Sequence, residues 1–335
     1  LGLLAIAPAV AQAADSVKTT TDPAPVSGSV EITQKEITVR QGVITKVIPV
    51  NEVDYIVFET EPLKMKEARA AARKGEFDDV MKAIGKIDPS DIRRPEIKAD
   101  YEFFKALASA RLAMAGEGSK PDAGKLLVAF EKNYEQSYHY FDICEAMGDL
   151  FVSLNKHEQA AAYFSKLADS PWADLQMHGK VLLAQSLASQ KKYKEAIAKF
   201  DDVLAANAGN NKQAEHEKQT AALGRATAIG ATGKPEESIK AIQKMIDGAA
   251  NEDDQFYAKA YNALGTCYQM AGKNKEALLA FLHTNLLYAQ FPEEDAEALF
   301  NLSRLWSEVN QGNRGARALA TLHEKYPYSP WAHAK

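Results

Sequence analysis

From Pro62 onward the apolar residues fall three and four positions apart, the spacing that gathers them on one face of an α-helix. Ala258, Tyr261, Leu264, Gly265 and Tyr268 show it most cleanly, and Ala277, Leu278 and Phe281 resume it after Ala271-Gly272-Lys273-Asn274-Lys275. Two amphipathic helices joined by so short a polar break make a helical hairpin. The layout recurs. Gly148, Phe151, Ala160, Phe164 and Leu167 repeat it around Leu154-Asn155-Lys156-His157, and Ala184, Leu187, Ala196, Phe200 and Val203 around Gln190-Lys191-Lys192-Tyr193. Ala226, Ile229, Ser238, Ile242 and Met245 do so around Gly233-Lys234-Pro235. Looser copies run through Phe77, Val80 and Ile84, through Ala106, Ala123, Leu127 and Phe130, and through Leu302, Ala318 and Leu322. The pattern predicts a mainly α chain whose residues 62–335 form an α-solenoid of about seven helical hairpins.

The texture before Pro62 is different. Val30, Ile32, Ile37, Val39, Val43, Val47, Ile48, Val50, Val53, Ile56, Val57 and Phe58 crowd into thirty residues, and Ile37-Thr38-Val39-Arg40 alternates with period two. Turn signals at Ser27-Gly28, Gln34-Lys35 and Gln41-Gly42 divide the run into strands near 26–33, 36–41, 43–49 and 53–59, with a fifth at 15–21. Pro49-Val50-Asn51-Glu52 makes a tight corner between the last two. Strands this short and numerous predict a small barrel-like β module over 15–61, with little core of its own. Ahead of it, the apolar Leu1–Val10 and the Ala-x-Ala pattern at Ala11-Gln12-Ala13 read as the remnant of a secretory signal peptide over 1–14.

Composition narrows the function. The 335 residues carry a net charge of −5, so no basic surplus exists to neutralise nucleic-acid phosphates. No later apolar run is long enough to span a bilayer. Alanine accounts for about 56 positions, one in six, as expected where helices cross closely and often. Cys144 and Cys267 stand on the first helices of distant hairpins and read as small buried hydrophobes, not a disulfide.

The small residues at Gly148, Ala184, Ala226 and Gly265, each answered in the second helix by Ala160, Ala196, Ser238 or Ala277 and a large residue one turn on, resemble the tetratricopeptide repeat. Spacings of about 36 to about 43 exceed that family's ~34 and imply longer helices or loops. Ala168-Asp169-Ser170-Pro171-Trp172-Ala173 and Tyr326-Pro327-Tyr328-Ser329-Pro330-Trp331-Ala332 look like the Tyr-Pro-x-Ser-Pro-aromatic-Ala joint of exported bacterial envelope repeat proteins. The strand spacing of 15–61 resembles a small SH3-like or Sm-like barrel. The resemblance implies an exported, periplasmic or cell-surface location and a protein-interaction scaffold. It also implies a groove lined by the first helices, in which partner segments lie.

No catalytic constellation emerges. Gly230-Ala231-Thr232-Gly233-Lys234-Pro235 lacks the spacing and the Ser or Thr of a phosphate loop and reads as an inter-helix turn. The histidines are scattered, Glu215-His216-Glu217 being the densest cluster, so neither a metal nor a cofactor is expected. The partner-binding candidates are Tyr138, Asp142, Glu145, Asp149, Gln185, Lys259, Asn262, Thr266 and Gln269. Asp142, Glu145 and Asp149 share one helix face with no Lys or Arg between Asn133 and Asn155, which reads either as a solvated face or as a contact for a basic partner segment. Lys259, Asn262, Thr266 and Gln269 form the equivalent face of a later hairpin. The alternative role is a structural subunit of an envelope assembly, joined through the β module.

Overall fold

The computed structural model describes residues 14–209, 211–249 and 253–334. Five strands come first: β1 (Asp15–Thr19), β2 (Val26–Ile32), β3 (Glu36–Gln41), β4 (Ile44–Pro49) and β5 (Val53–Val57). Fourteen α-helices follow in seven consecutive pairs. They are α1 (Leu63–Arg73) and α2 (Phe77–Ile84), α3 (Pro95–Met114) and α4 (Lys120–Asn133), α5 (Tyr140–Ser153) and α6 (His157–Ala168), α7 (Ala173–Ser189) and α8 (Tyr193–Ala205). Then come α9 (Lys212–Ala231) and α10 (Pro235–Gly248), α11 (Asp254–Met270) and α12 (Asn274–Leu287), α13 (Pro292–Glu308) and α14 (Gly312–Lys325). Pro95, Pro235 and Pro292 open their helices, where a missing N–H costs nothing. Of the Gly230–Pro235 segment, Thr232–Lys234 form the turn between α9 and α10, while Gly230 and Ala231 end α9 and Pro235 opens α10. The leader read at 1–14 lies, but for Ala14, outside the described residues. Among the described residues no helix is long and apolar enough to cross a membrane.

The chain divides into two compact units, one holding the residues up to Lys105 with Ala129–Tyr140, the other Ala106–Val128 with Phe141 onward. In the first, the strands pair antiparallel in the order β4-β3-β2-β1-β5. The strands fall where period-two alternation placed them, but the expected barrel does not close, and the sheet is open with β4 and β5 at its edges. Pairing stops at β4 and β5, which do not meet edge to edge. Val43 is wholly exposed just before β4, and Ile44 and Val47 within it are 66% and 52% exposed. Alternate residues Val17, Ile37, Val39, Ile48 and Ile56 are buried. Asp15, also buried, is held by both arms of Arg94 at 2.7 and 3.0 Å. Further on, Arg69 makes a two-armed pair with Glu61 (2.9 and 2.8 Å) and reaches Asp100 at 3.3 Å, while His139 Nε2 lies 3.2 Å from the same carboxylate.

In the second unit the small-against-large pairing read from the sequence is the packing rule. A Cβ on Gly148 would lie 2.2 Å from the Phe164 ring, and one on Gly265 2.7 Å from Phe281. Phe164, Phe200 and Phe281 are all fully buried. Cys144 and Cys267 are free and buried, and burial pushes the Cys267 thiol up to about 11. They are packing residues.

Candidate functional site: the face shared by the first helices

Pairing within each hairpin leaves the first helices free to stack on one another, and α7 packs on α9, α9 on α11 and α11 on α13. Their common face is crossed by polar contacts that join each first helix to the next. Arg111 on α3 donates to Asp149 on α5 at 2.9 Å. Glu145 on α5 and Glu217 on α9 each lie 3.3 Å from a ring nitrogen of His178 on α7, Nε2 and Nδ1 respectively. Lys259 Nζ on α11 donates to Thr220 Oγ1 on α9 at 3.1 Å. Asn262 Nδ2, also on α11, donates to the Glu294 carbonyl (2.9 Å) and to Glu297 Oε2 (3.1 Å) on α13.

Four of the nine sequence-predicted residues, Glu145, Asp149, Lys259 and Asn262, therefore lie on this face, but as links between helices. Asp142 is exposed one turn before Glu145, Gln185 is exposed on α7, and Thr266 is half-buried on α11. Gln269 lines a shallow cavity of about 340 Å³ with Asn301, Arg304 and Glu308. Tyr138 does not join them. It precedes α5, belongs to the first unit and is buried there, with its hydroxyl donating to Asp100 at 3.3 Å.

The acidic run is not an uncompensated patch, because its cations come from other helices. The local sequence gives no sign of Arg111, His178, Thr220, Glu294 and Glu297, because none has a partner nearby in sequence, and it shows Glu217 only in the Glu215-His216-Glu217 cluster. A signal did exist: linked residues stand 38, 39 and 35 positions apart, close to the repeat length.

Each link shifts its members' ionisation. Burial works against a charge on His178, yet its bonds to Glu145 and Glu217 and their negative field hold the imidazole's pKa up to about 10. Burial likewise disfavours charge on Glu145, but the His178 bond and the His178 and Arg111 charges bring its carboxyl below the usual value. Burial outweighs Arg111 at Asp149, which rises to about 6. At Glu297 burial dominates, with the Glu294 charge adding to it against the Asn262 bond, and the carboxyl rises to about 7.

A pH dependence follows. His178, Asp149 and Glu297 keep their protons to higher pH when folded than when unfolded, so stability falls as pH rises. The His178 contribution is whole below about 6.5 and is lost as the pH climbs through about 10, while Glu297 becomes destabilising between 4.5 and about 7. Thermal melts followed by circular dichroism should move down steadily from pH 6 to pH 10. His178→Gln should flatten the upper half of that slope, by an amount on the order of 1–2 kcal/mol after solvent screening. Melts that rise with pH, or keep the same slope in His178→Gln, contradict the assignment.

The arrangement is built to hold helices in register and to present carboxylates, and among the described residues no three His, Cys, Asp or Glu side chains are grouped to hold a metal ion. No family model matches the sequence, and no curated protein is similar to it in sequence. Solved structures do resemble it. A tetratricopeptide repeat protein from Parabacteroides merdae is 15% identical, with a TM-score of 0.52 over 78% of this chain and 92% of that one. A Rap protein complexed with Competence and Sporulation Factor is 14% identical, with a TM-score of 0.49 over 80% of this chain and 76% of that one. NprR in complex with its cognate peptide NprX is 12% identical, with a TM-score of 0.48 over 81% of each chain. At the level of architecture, then, this chain is similar to the tetratricopeptide repeat proteins.

Proposed function

We propose that the chain is a non-enzymatic protein-interaction scaffold that takes basic partner segments along the concave face of its first helices. The observation that carries this is the charge balance of that face. Glu145, Asp149, Glu217, Glu294 and Glu297 converge there, and the described cations linked to the same face are Arg111, His178 and Lys259. An acid-rich face on a repeat array attracts positively charged chain and sets its register through charge. We place this activity in the bacterial envelope, a reading supported by the Ser-Pro-Trp-Ala joints at Ser170–Ala173 and Ser329–Ala332; cell fractionation checks it.

The structure refines the choice of variants, since reversing Glu145 or Asp149 would break links between helices. Asp142 and Glu293 are exposed, and the Glu293 charge is near enough to act on Arg111. A fluorescein-labelled lysine-rich peptide should bind the wild-type chain and lose at least about tenfold in affinity to Asp142→Lys/Glu293→Lys, with the helical dichroism unchanged. Equal binding to both proteins, or none to the wild type, removes the groove from the account.

A second reading has its own observation. The exposed edge strand β4, with Ile44 and Val47 bare within it and Val43 bare just before it, is a template for pairing with another strand. A structural subunit assembling through the β module would use it. Light scattering should then give a multiple of the 36.7 kDa chain mass, reduced to the monomer by Ile44→Lys/Val47→Lys. A monomer that persists at every concentration disposes of self-assembly.

A further inference from the structure

Away from the groove, four rings form a continuous aromatic surface. Tyr261 on α11 stacks on His283 of α12 with centroids 4.5 Å apart and planes at 16°. Tyr288, just past α12, lies nearly parallel to both Tyr261 (6.2 Å, 19°) and Tyr257 (6.1 Å, 10°). At 100° per residue, Tyr257 and Tyr261 lie roughly 150° around α11 from Lys259, Asn262 and Thr266, so this is a different side of the array. His283 stands on the outer stripe of α12 between Leu279 and Leu286, which are 59% and 72% exposed. A helix apolar on every side is normally covered on every side. Here the outer side of α12 is bare.

The electrostatics of the patch point one way. Aromatic faces are electron-rich. Burial is the main cause that raises the ionisation of Tyr261 and Tyr288, and the charges of Asp247 at the end of α10 and Asp254 at the start of α11, both exposed, add to it respectively. Among the described residues, the hydrogen bond to the Asp254 side chain comes from the neutral Gln290 amide (3.3 Å), and neither aspartate is ion-paired to a lysine or arginine. Tyr55, Tyr101 and Tyr163 each carry a cation from the chain itself, Arg73, Lys105 and Lys166. No described cation lies over Tyr257, Tyr261 or Tyr288. A flat tile of rings edged by carboxylates is the complement of a flat cation, and the guanidinium has that shape. The leucines alongside ask for an apolar face on the same ligand.

We propose that this aromatic tile, with Leu279 and Leu286 beside it and Asp247 and Asp254 at its edge, is a second docking surface whose occupant is an amphipathic helix of a partner protein that lays an arginine on the tyrosines. The surface is independent of the groove, so the chain joins two partners at once.

The test uses the full chain and a short labelled amphipathic peptide with leucines on one face and a single central arginine, against the same peptide with citrulline in that place. Fluorescence anisotropy should show the arginine peptide binding at least about tenfold tighter, because citrulline keeps the shape and loses the charge. Tyr261→Leu and Tyr288→Leu should each weaken it about fivefold or more. Asp247→Asn/Asp254→Asn alters two exposed side chains and no packing, and should bring the arginine peptide toward the citrulline value. Asp142→Lys/Glu293→Lys should leave binding unchanged, which separates this surface from the groove. Equal affinity for the two peptides, no binding of either, or loss only in the groove variant overturns the proposal.

Discussion

Phe281→Ala is expected to destabilise the C-terminal hairpins by about 3–5 kcal/mol, the cost of removing a fully buried aromatic ring. The ring fills the close crossing of α11 and α12, and Gly265 has no side chain because the ring occupies the space a Cβ would need. Nothing nearby can refill the hole. Ala277, Leu278, Leu299 and Leu302 belong to the same buried cluster and are themselves fixed by α13 and α14. A repeat array passes stability only between neighbours, so the loss should be local. Hydrogen exchange should show α11–α14 opening while α5–α8 stay protected. Uniform loss of protection along the array, or a change under about 1 kcal/mol, would show that the crossing does not depend on this pair.

Gly179→Ala should be nearly as damaging although it adds one methyl group. The new Cβ on α7 would lie 2.4 Å from the Ala168 amide nitrogen, 2.8 Å from the Phe164 carbonyl oxygen and 2.9 Å from the Leu167 carbonyl carbon. All three are backbone of α6, which cannot step aside as a flexible side chain can. The two helices must separate, and overpacking of this kind costs about 1–3 kcal/mol. His178 is the next residue, so the displacement also pulls on its contacts with Glu145 and Glu217, and the variant should lose part of the pH dependence as well as stability. Gly312→Ala is the matching control. Gly312 lies in the first turn of α14 with nothing within 4 Å of the added carbon, and alanine there should be neutral or stabilise by up to about 1 kcal/mol. Equal melting temperatures for the two variants would refute the close-crossing account.

The hairpins were legible because their signal is local. Three-and-four spacing, a small residue facing a large one and a short polar turn are complete within some forty residues, and every pair from α5 to α12 lies where that pattern put it. The strands were legible for the same reason, down to the 3-10 turn at Val50–Glu52 where Pro49-Val50-Asn51-Glu52 marked a corner. Closure of the sheet was not. It depends on whether the edges of β4 and β5 meet, and residues in a strand read the same whether that strand lies at an edge or is paired on both sides.

The candidate face divides along that line. Its acids are legible, because Glu145 and Asp149 sit four apart on one helix, but in sequence they read as a solvated face or a partner contact, not as links between helices. Arg111 and His178, which pair with them, lie beyond the reach of any local pattern. Tyr138 looked continuous with the acidic run in sequence, and a single change of direction before α5 takes it to Asp100 instead. The aromatic tile was invisible for a related reason, since Tyr257 and Tyr261 read as ordinary helix-face residues until Tyr288 and His283 arrive from the next helix.

By itself, then, the sequence determined the class of this protein: an alanine-rich helical repeat array behind a small β module, because periodicity and short-range packing are written in neighbouring residues. Only the tertiary structure decided which charges meet, because the partners are brought together one repeat apart by the stacking of first helices. The acidic face that reads in sequence either as solvated or as a partner contact is in the first place part of the set of links that holds those helices in register. The surface left over for partners is defined by what those links do not consume.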